Sequence, residues 1–148
     1  MKALIQRVLE ADVSVQCKVI ACIQKGILVF LGIERGDTME DLHYILKKVS
    51  NLRIFEDSNG KMNLSVKDIN ASALVVSEFT LLADTKKGNR PSFEKAEDPK
   101  MAKEIYEVFI ERLKAMGIKT EEGRFGAIMN VRLINDGPVT ITIDSRGS

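Results

Sequence analysis

Four positions at the end of one apolar run have the side chains that hydrolytic chemistry uses. Ala73-Leu74-Val75-Val76 leads into Ser77-Glu78-Phe79-Thr80-Leu81, which brings together two hydroxyls, a carboxylate and an aromatic ring. The apolar run reads as a buried strand, and a strand end can hold side chains and backbone N–H groups steady over a pocket. Thr80 is the candidate nucleophile, and a hydroxyl attacks only when a base activates it. His43 is the only histidine, and it falls in a polar, helical-looking stretch far along the chain. The competing reading is a strand that simply meets a turn with polar residues at its tip, since short motifs match often.

Composition narrows the classes. The 148 residues suit one domain, 1–148, with a core of useful size. Hydrophobic content of 45% and charged content of 29% describe a soluble globular protein. The 22 basic and 21 acidic side chains nearly cancel, which excludes a strongly basic nucleic-acid binder but leaves room for local phosphate-binding patches. A single histidine excludes a His-Glu-x-x-His zinc site, and no metal or cofactor is expected. No apolar run reaches the roughly 18 residues of a membrane span. Met1 to Arg7 turns polar too soon for a signal peptide. Cys17 and Cys22 are placed in one strand facing opposite ways, so they are expected to stay unbonded, in keeping with a cytoplasmic location.

The elements that must position the motif follow from pattern. Ala3–Leu9 reads as a strand, Asp12–Gln16 begins a second that Val19–Ile23 continues, and Ile27–Ile33 reads as a strand covered on both faces. Leu42, Ile45, Leu46 and Val49 recur at helical spacing, with Asp37 or Thr38 as the cap. Arg53-Ile54-Phe55 suggests a short strand, and Asp57 to Lys61 a turn. The G-x-x-x-x-G-K-[ST] spacing of a phosphate loop is absent. Asp84 to Ser92 is a polar loop carrying Lys86, Lys87 and Arg90. Asp98-Pro99 opens a helix whose buried side is Ile105, Val108, Phe109, Ile110 and Leu113, and Gly117 ends it. Strands at Ala127–Ile134 and Val139–Ile143 come last, and the tail from Asp144 to Ser148 is expected to fray. The sum is one α/β domain of about eight strands and two main helices.

Several segments together resemble the D-aminoacyl-tRNA deacylase family, also called D-tyrosyl-tRNA deacylase. They are Gln6-Arg7-Val8, Ser77-Glu78-Phe79-Thr80-Leu81, Gly88-Asn89-Arg90-Pro91-Ser92-Phe93 and Asn135-Asp136-Gly137-Pro138-Val139-Thr140, with Gly60-Lys61-Met62-Asn63-Leu64 and Gly123-Arg124-Phe125 in support. The resemblance implies mixed barrel-like sheets with the two helices packed outside. It implies a homodimer with its active site at the subunit interface and the aminoacylated 3′ end of tRNA as substrate. The family hydrolyses the ester of D-aminoacyl-tRNA and also removes glycine mischarged on tRNA-Ala. The strand-end motif then supplies Ser77, Phe79 and Thr80 as the catalytic pocket. Gly137-Pro138, joined by a cis bond, enters the partner's site and excludes L side chains. This chain departs from the family in carrying Glu78 where Gln is usual, and an ionised carboxylate cannot donate a hydrogen bond.

The residue types suit these roles. Two carbonyls at Gly137-Pro138 can accept from a substrate ammonium group, and the proline nitrogen brings no competing N–H. Arg7 can hold those carbonyls with its fixed fork of donors. Phe79 can pack on adenine, Met129 can line the same pocket, and Phe125 is core or pocket wall. Lys86, Lys87 and Arg90 can meet phosphates. Two mechanisms stay open. In one, Thr80 forms an acyl-enzyme. In the other, which explains the missing base, the ribose 2′-hydroxyl helps activate water while N–H groups near Phe79 and Thr80 stabilise the oxyanion. Two rival functions stand beside this reading: a non-catalytic module that holds tRNA ends, and a general esterase using Thr80, which would lack the G-x-S-x-G elbow.

Overall fold

A 14-residue strand, β1 (Lys2–Val15), is the spine of the molecule. The computed structural model describes residues 1–147. After β1 come β2 (Lys18–Ile23), β3 (Gly26–Gly32), α1 (Met39–Asn51), β4 (Phe55–Glu56), β5 (Met62–Leu64) and β6 (Ser72–Ser77). A 3-10 turn (Phe79–Leu82), α2 (Pro99–Ala115), β7 (Lys119–Glu122) and β8 (Asn130–Asp144) complete the chain. The expected count of strands and helices is met, although several boundaries move.

One edge of β1 pairs antiparallel with β3 through Lys2–Val8 and with β2 through Ala11–Val15. Its other edge pairs with β8 along nearly its whole length. β3, β6 and β7 continue the sheet in parallel. Two faces result. Ala3, Ile5, Ile27, Val29, Leu31, Ala73 and Val75 meet α1 and α2 in the larger core. On the other face Leu28, Leu74 and Val76 join Val8, Ala11, Val13, Ala21 and Ile23. β2 also comes back against β6 and β7, so the sheet wraps into a nearly closed barrel with both helices outside. The change of facing within β1 is visible in the consecutive burial of Arg7 and Val8, at a register shift against β8.

The differences from expectation have local causes. β1 runs unbroken to Val15, and Gln16 and Cys17 form the hairpin turn with φ of 51° and 66°. Cys17 is therefore in a turn and not a strand, and both cysteines are free. Thr38 rather than Asp37 caps α1, in a box with Asp41. The buried side of α2 is Ala102, Tyr106, Phe109, Ile110 and Leu113, with Ile105 and Val108 half-buried. The two last strands are one, β8, which carries Asn135-Asp136-Gly137-Pro138 inside it, while Ala127 to Met129 lie before it. β7, Lys-Thr-Glu-Glu, shows no apolar pattern because half its residues face solvent at the sheet edge. The tail is not frayed through Arg146. Asp37 takes the Met1 ammonium at 2.7 Å, Ser145 Oγ accepts from the same group at 2.9 Å, and Arg146 reaches Asp37 at 3.0 Å. Ser148, the end of that expected fray, lies outside the described residues.

Candidate active site

β6 ends at Ser77, beside Leu31 of β3. The Glu78 N–H then donates to the Leu31 carbonyl at 2.8 Å, which fixes the exit of the strand. The chain tightens at once into the 3-10 turn, where Leu81 N–H donates to Glu78 O at 3.3 Å and Ala83 N–H to Thr80 O at 3.1 Å. Gly32 lets this turn sit close. A Cβ there would lie 2.6 Å from Leu82 Cδ2 and 3.0 Å from Glu78 O. The N–H groups of Phe79 and Thr80 precede the first bond of the turn, and among the described residues neither donates to a protein acceptor. Two adjacent free donors at one strand end are what an oxyanion needs.

The side chains of the motif are accessible. Phe79 is 56% exposed and meets Phe93 edge-on, with ring centroids 5.1 Å apart. The Thr80 hydroxyl donates to the Glu78 carboxylate. Ser77 and Glu78 are half-buried. Met129 reaches this end of β6: its sulfur and Val76 Cγ2 both crowd the open side of Gly123. Phe125 lies on the helix side, with its ring centroid 5.7 Å from that of Tyr106, and belongs to the core wall. Tyr106 in turn donates to the Val75 carbonyl at 3.0 Å. Burial pushes the Tyr106 phenol far above its ordinary range, so it remains a donor. The following loop is closed by reciprocal Asp84–Ser92 backbone bonds of 2.8 and 2.9 Å, with Lys86, Lys87 and Arg90 exposed on it. The Lys86 N–H, then Lys95, hold the Asp84 carboxyl below its usual value.

A second constellation forms around Gly137-Pro138. The bond between them is cis, and both residues are exposed. Arg7 was expected to hold their carbonyls, and the geometry corrects this. Its Nε donates to Asp136 O at 2.9 Å and its Nη1 to Ile54 O at 2.7 Å. The guanidinium therefore anchors the residue before Gly137 and the residue just before β4, with the Asp136 carboxylate 3.5 Å from Nε. Asn135, which sequence reasoning quoted in a motif but gave no role, staples the other side. Its Oδ1 accepts from Val139 N–H at 2.7 Å, and its Nδ2 donates toward Val139 O, Thr140 Oγ1 and Gln6 Oε1 at 3.0–3.2 Å. An Asn at the head of a Gly-Pro segment was the available signal, since Asn side chains bond nearby backbone in turns. Gly137 has φ of 142°, and a Cβ there would fall 2.8 Å from Val139 Cγ2 and 3.2 Å from Arg7 Nη2.

The two constellations do not meet within one chain. Gly137-Pro138 sits between Asn135, opposite Val8, and Thr140, opposite Gln6. That is the level of Ile27 and Ala73, whereas Ser77 is level with Leu31 and Ala3. Four residues at ~3.3 Å and three strand spacings at ~4.8 Å put them about 20 Å apart along the sheet. A cavity of about 750 Å³ is elsewhere again, lined by Glu10, Asp12, Lys25, Asn70, Lys119 and Arg132 at the opposite end of β6 from Ser77. A smaller one of about 140 Å³ borders Arg7, Phe55, Glu56 and Asp136. Among the described residues no cluster of His, Cys, Asp and Glu could hold a metal ion, and no helix is long and apolar enough to cross a membrane.

The model of the family described as D-Tyr-tRNA(Tyr) deacylase matches residues 4–144. The chain belongs to this family. It is 56% identical over 146 residues to a D-aminoacyl-tRNA deacylase of Aquifex aeolicus, covering 99% of each chain. It is 54% identical to that of Thermotoga petrophila, over 98% of this chain and 97% of the relative. Among solved structures it resembles the c-Myc DNA Unwinding Element Binding Protein, with a TM-score of 0.94, 42% identity, and 99% and 100% of the two chains covered. A probable eukaryotic D-amino acid tRNA deacylase superposes with a TM-score of 0.82 at 16% identity, over 97% and 98% of the chains, and shows the shared fold alone. The match to the D-Tyr-tRNA(Tyr) deacylase family thus spans both constellations.

Proposed function

We propose that this protein is a hydrolase that cleaves the ester of D-aminoacyl-tRNA, releasing tRNA and the free D-amino acid. The observation that carries this reading is the family match over residues 4–144. Ser77, Phe79 and Thr80 form the catalytic pocket, with the Phe79 and Thr80 N–H groups on the oxyanion and Phe79 and Met129 against the adenosine. Glu78, Arg7 and Phe125 border or support the substrate site. Water is the nucleophile, and the ribose 2′-hydroxyl helps activate it. Glycine mischarged on tRNA-Ala is the achiral substrate of the same site, and the cytoplasm is where such substrates arise.

The protein works as a homodimer, in which Gly137-Pro138 of one subunit completes the pocket at Thr80 of the other. The ~20 Å separation of these segments along one sheet supports this. So do the exposed Phe79, at 56%, and Ile128, at 93%, beside the strand-end motif. Light scattering tests it directly: a fully active monomer at micromolar concentration would end the shared-site reading. The function itself is tested with D-tyrosyl-tRNA and L-tyrosyl-tRNA. Cleavage of the D form alone is expected. Cleavage of neither would leave a module that binds tRNA ends, and cleavage of both a general esterase.

A further inference from the structure

We propose that two guanidiniums, Arg90 and Arg124, flank the strand-end pocket and hold phosphates of the RNA strand leading to its terminal adenosine, with Lys86 and Lys87 in support. The proposal rests on the hydrolase reading and names what takes the RNA half of the substrate at that same site.

The partners of the arginines single these two out. Among the described residues every other arginine side chain is committed to this chain. Arg7, Arg35 and Arg53 donate to backbone carbonyls, Arg112 meets His43, Arg132 holds Asp12, and Arg146 donates to the Arg35 carbonyl. Arg90 and Arg124 are exposed and have no such partner among the described residues. A free guanidinium is common on a surface, so the argument turns on where these two stand.

β6 has β7 on one side and β3 on the other, and each side delivers one of them. On the β7 side the Gly123 N–H donates to the Val75 carbonyl at 3.0 Å, and the Met129 sulfur and Val76 Cγ2 crowd its open side. Arg124 is the next residue, so it leaves the sheet level with the end of β6. On the β3 side the Glu97 N–H donates to Ile33 O and the Arg35 N–H to Lys95 O, both at 2.9 Å. These bonds lay the segment after Phe93 across the end of β3, and Phe93 itself meets the Phe79 ring. Arg90 is three residues from Phe93, at most ~11 Å of chain. Its loop is pinned at Asp84 and Ser92 and open at the tip, where a Cβ on Gly88 would meet nothing within 4 Å.

The charge on that loop is one-sided. From Thr85 to Phe93 it carries Lys86, Lys87 and Arg90 and no acid, in a chain whose formal net charge is only +1. Asp84, at its base, is already paired with Lys95 at 3.5 Å. An adenosine packed on Phe79 brings its own 5′ phosphate, and those before it, to the rim between Arg90 and Arg124. The planar fork of a guanidinium matches a phosphate with two donors, and Lys86 and Lys87 add point charges. Phosphate contacts position a strand without reading its sequence, so this grip orients the ester over the Phe79 and Thr80 N–H groups for any tRNA.

The test compares two substrates, D-tyrosyl-tRNA and 3′-O-D-tyrosyl-adenosine, which has no phosphate. Wild type, Arg90→Ala/Arg124→Ala and Arg90→Lys/Arg124→Lys are assayed from about 50 to about 200 mM salt, the range over which phosphate contacts weaken. Each contact on a single strand adds about −0.7 to the slope of log affinity against log salt, so the double alanine variant should flatten the tRNA slope by about 1.4. Its KM for D-tyrosyl-tRNA should rise at least tenfold at the lower salt, with kcat within threefold of wild type. All three proteins should cleave the adenosine ester within threefold of one another, and the lysine variant should recover most of the tRNA slope. Equal losses on both substrates would overturn the proposal, because the arginines would then support the pocket itself. An unchanged slope and KM with D-tyrosyl-tRNA would overturn it too, leaving the guanidiniums to solvent or to an acidic protein. If the Arg124 change alters folding or the mass seen by light scattering, Arg90→Ala alone decides, and a slope not flattened by about 0.7 counts against the proposal. A wild type that cleaves neither substrate would instead overturn the hydrolase reading, and the binding of uncharged tRNA would still test the two arginines.

Discussion

Replacing Arg7 by alanine should cost stability and chirality together. The Arg7 side chain is only 9% exposed, and its Nε and Nη1 donate to two carbonyls that belong to different segments, Asp136 and Ile54. Hydrogen bonds from a charged donor are worth about 1.5–3 kcal/mol each, so the pair amounts to about 3–6 kcal/mol. The variant no longer bears the desolvation cost of a buried guanidinium, which offsets part of this, and so does the readmission of water to the two carbonyls. A net loss of about 3 kcal/mol remains, which for a chain of this size lowers Tm by about 10 °C. Arg7→Lys should recover only part of it, because one ammonium cannot match a planar fork aimed at two carbonyls. The assay pairs thermal unfolding with kcat/KM for D- and L-tyrosyl-tRNA on folded protein. The D/L ratio should fall at least tenfold, since Asp136 is the anchor of Gly137-Pro138. A Tm within 2 °C of wild type would refute the energetic reasoning. A lower Tm with an unchanged D/L ratio would refute the link from anchor to chirality.

Thr80→Ala should retain substantial deacylation, because the Thr80 N–H survives the change; abolished activity in a folded protein, or a trapped acyl-Thr80, would establish the covalent route instead. A tRNA ending in 2′-deoxyadenosine and charged on its 3′-hydroxyl should be cleaved far more slowly, which single-turnover kinetics would read. Gly137→Ala should lower the D/L ratio, because its Cβ would sit 2.8 Å from Val139 Cγ2 and 3.2 Å from Arg7 Nη2 at a backbone φ that L residues avoid. Acid should weaken α1 through Asp41. Burial pushes its carboxyl up, but the Thr38 N–H, the Ser145 and Thr38 hydroxyls and the Met1 ammonium outweigh it and bring it from 3.8 to about 2. The group's contribution is then complete above pH 3.8 and is lost as pH falls toward 2. Solvent screening keeps it to about 1 kcal/mol. The stability gap between wild type and Asp41→Asn, measured by denaturant at pH 5 and pH 2.5, should therefore narrow on acidification.

The parts of this molecule that were legible in the sequence are those that local physics decides. α1 was readable because Leu42, Ile45, Leu46 and Val49 all reach the core, and α2 because Asp98 and Pro99 open it. β3 and β6 were readable as apolar runs because both their faces are covered, one by helices and the other by the barrel interior. β7 was not, because an edge strand with half its residues in solvent needs no pattern, only a parallel neighbour. The fusion of the last two strands was hidden for a related reason. Asn135 to Pro138 carries strong turn chemistry, and the pairing of β8 with both halves of β1 overrides it. That override is what holds the segment in place. A free Gly-Pro turn would be mobile, whereas this one is stapled by Asn135, gripped by Arg7 through Asp136, and projected from the middle of a long strand. The strand-end residues were legible as a group because they are consecutive. The link from Glu78 to Thr80 was not, because residues two apart face each other only once the chain turns, and the 3-10 turn that does so is set by Gly32 and Leu31 on another strand. Sequence could therefore name the chemistry at each constellation, but the sheet register decides that one chain holds only half of the proposed site at either place.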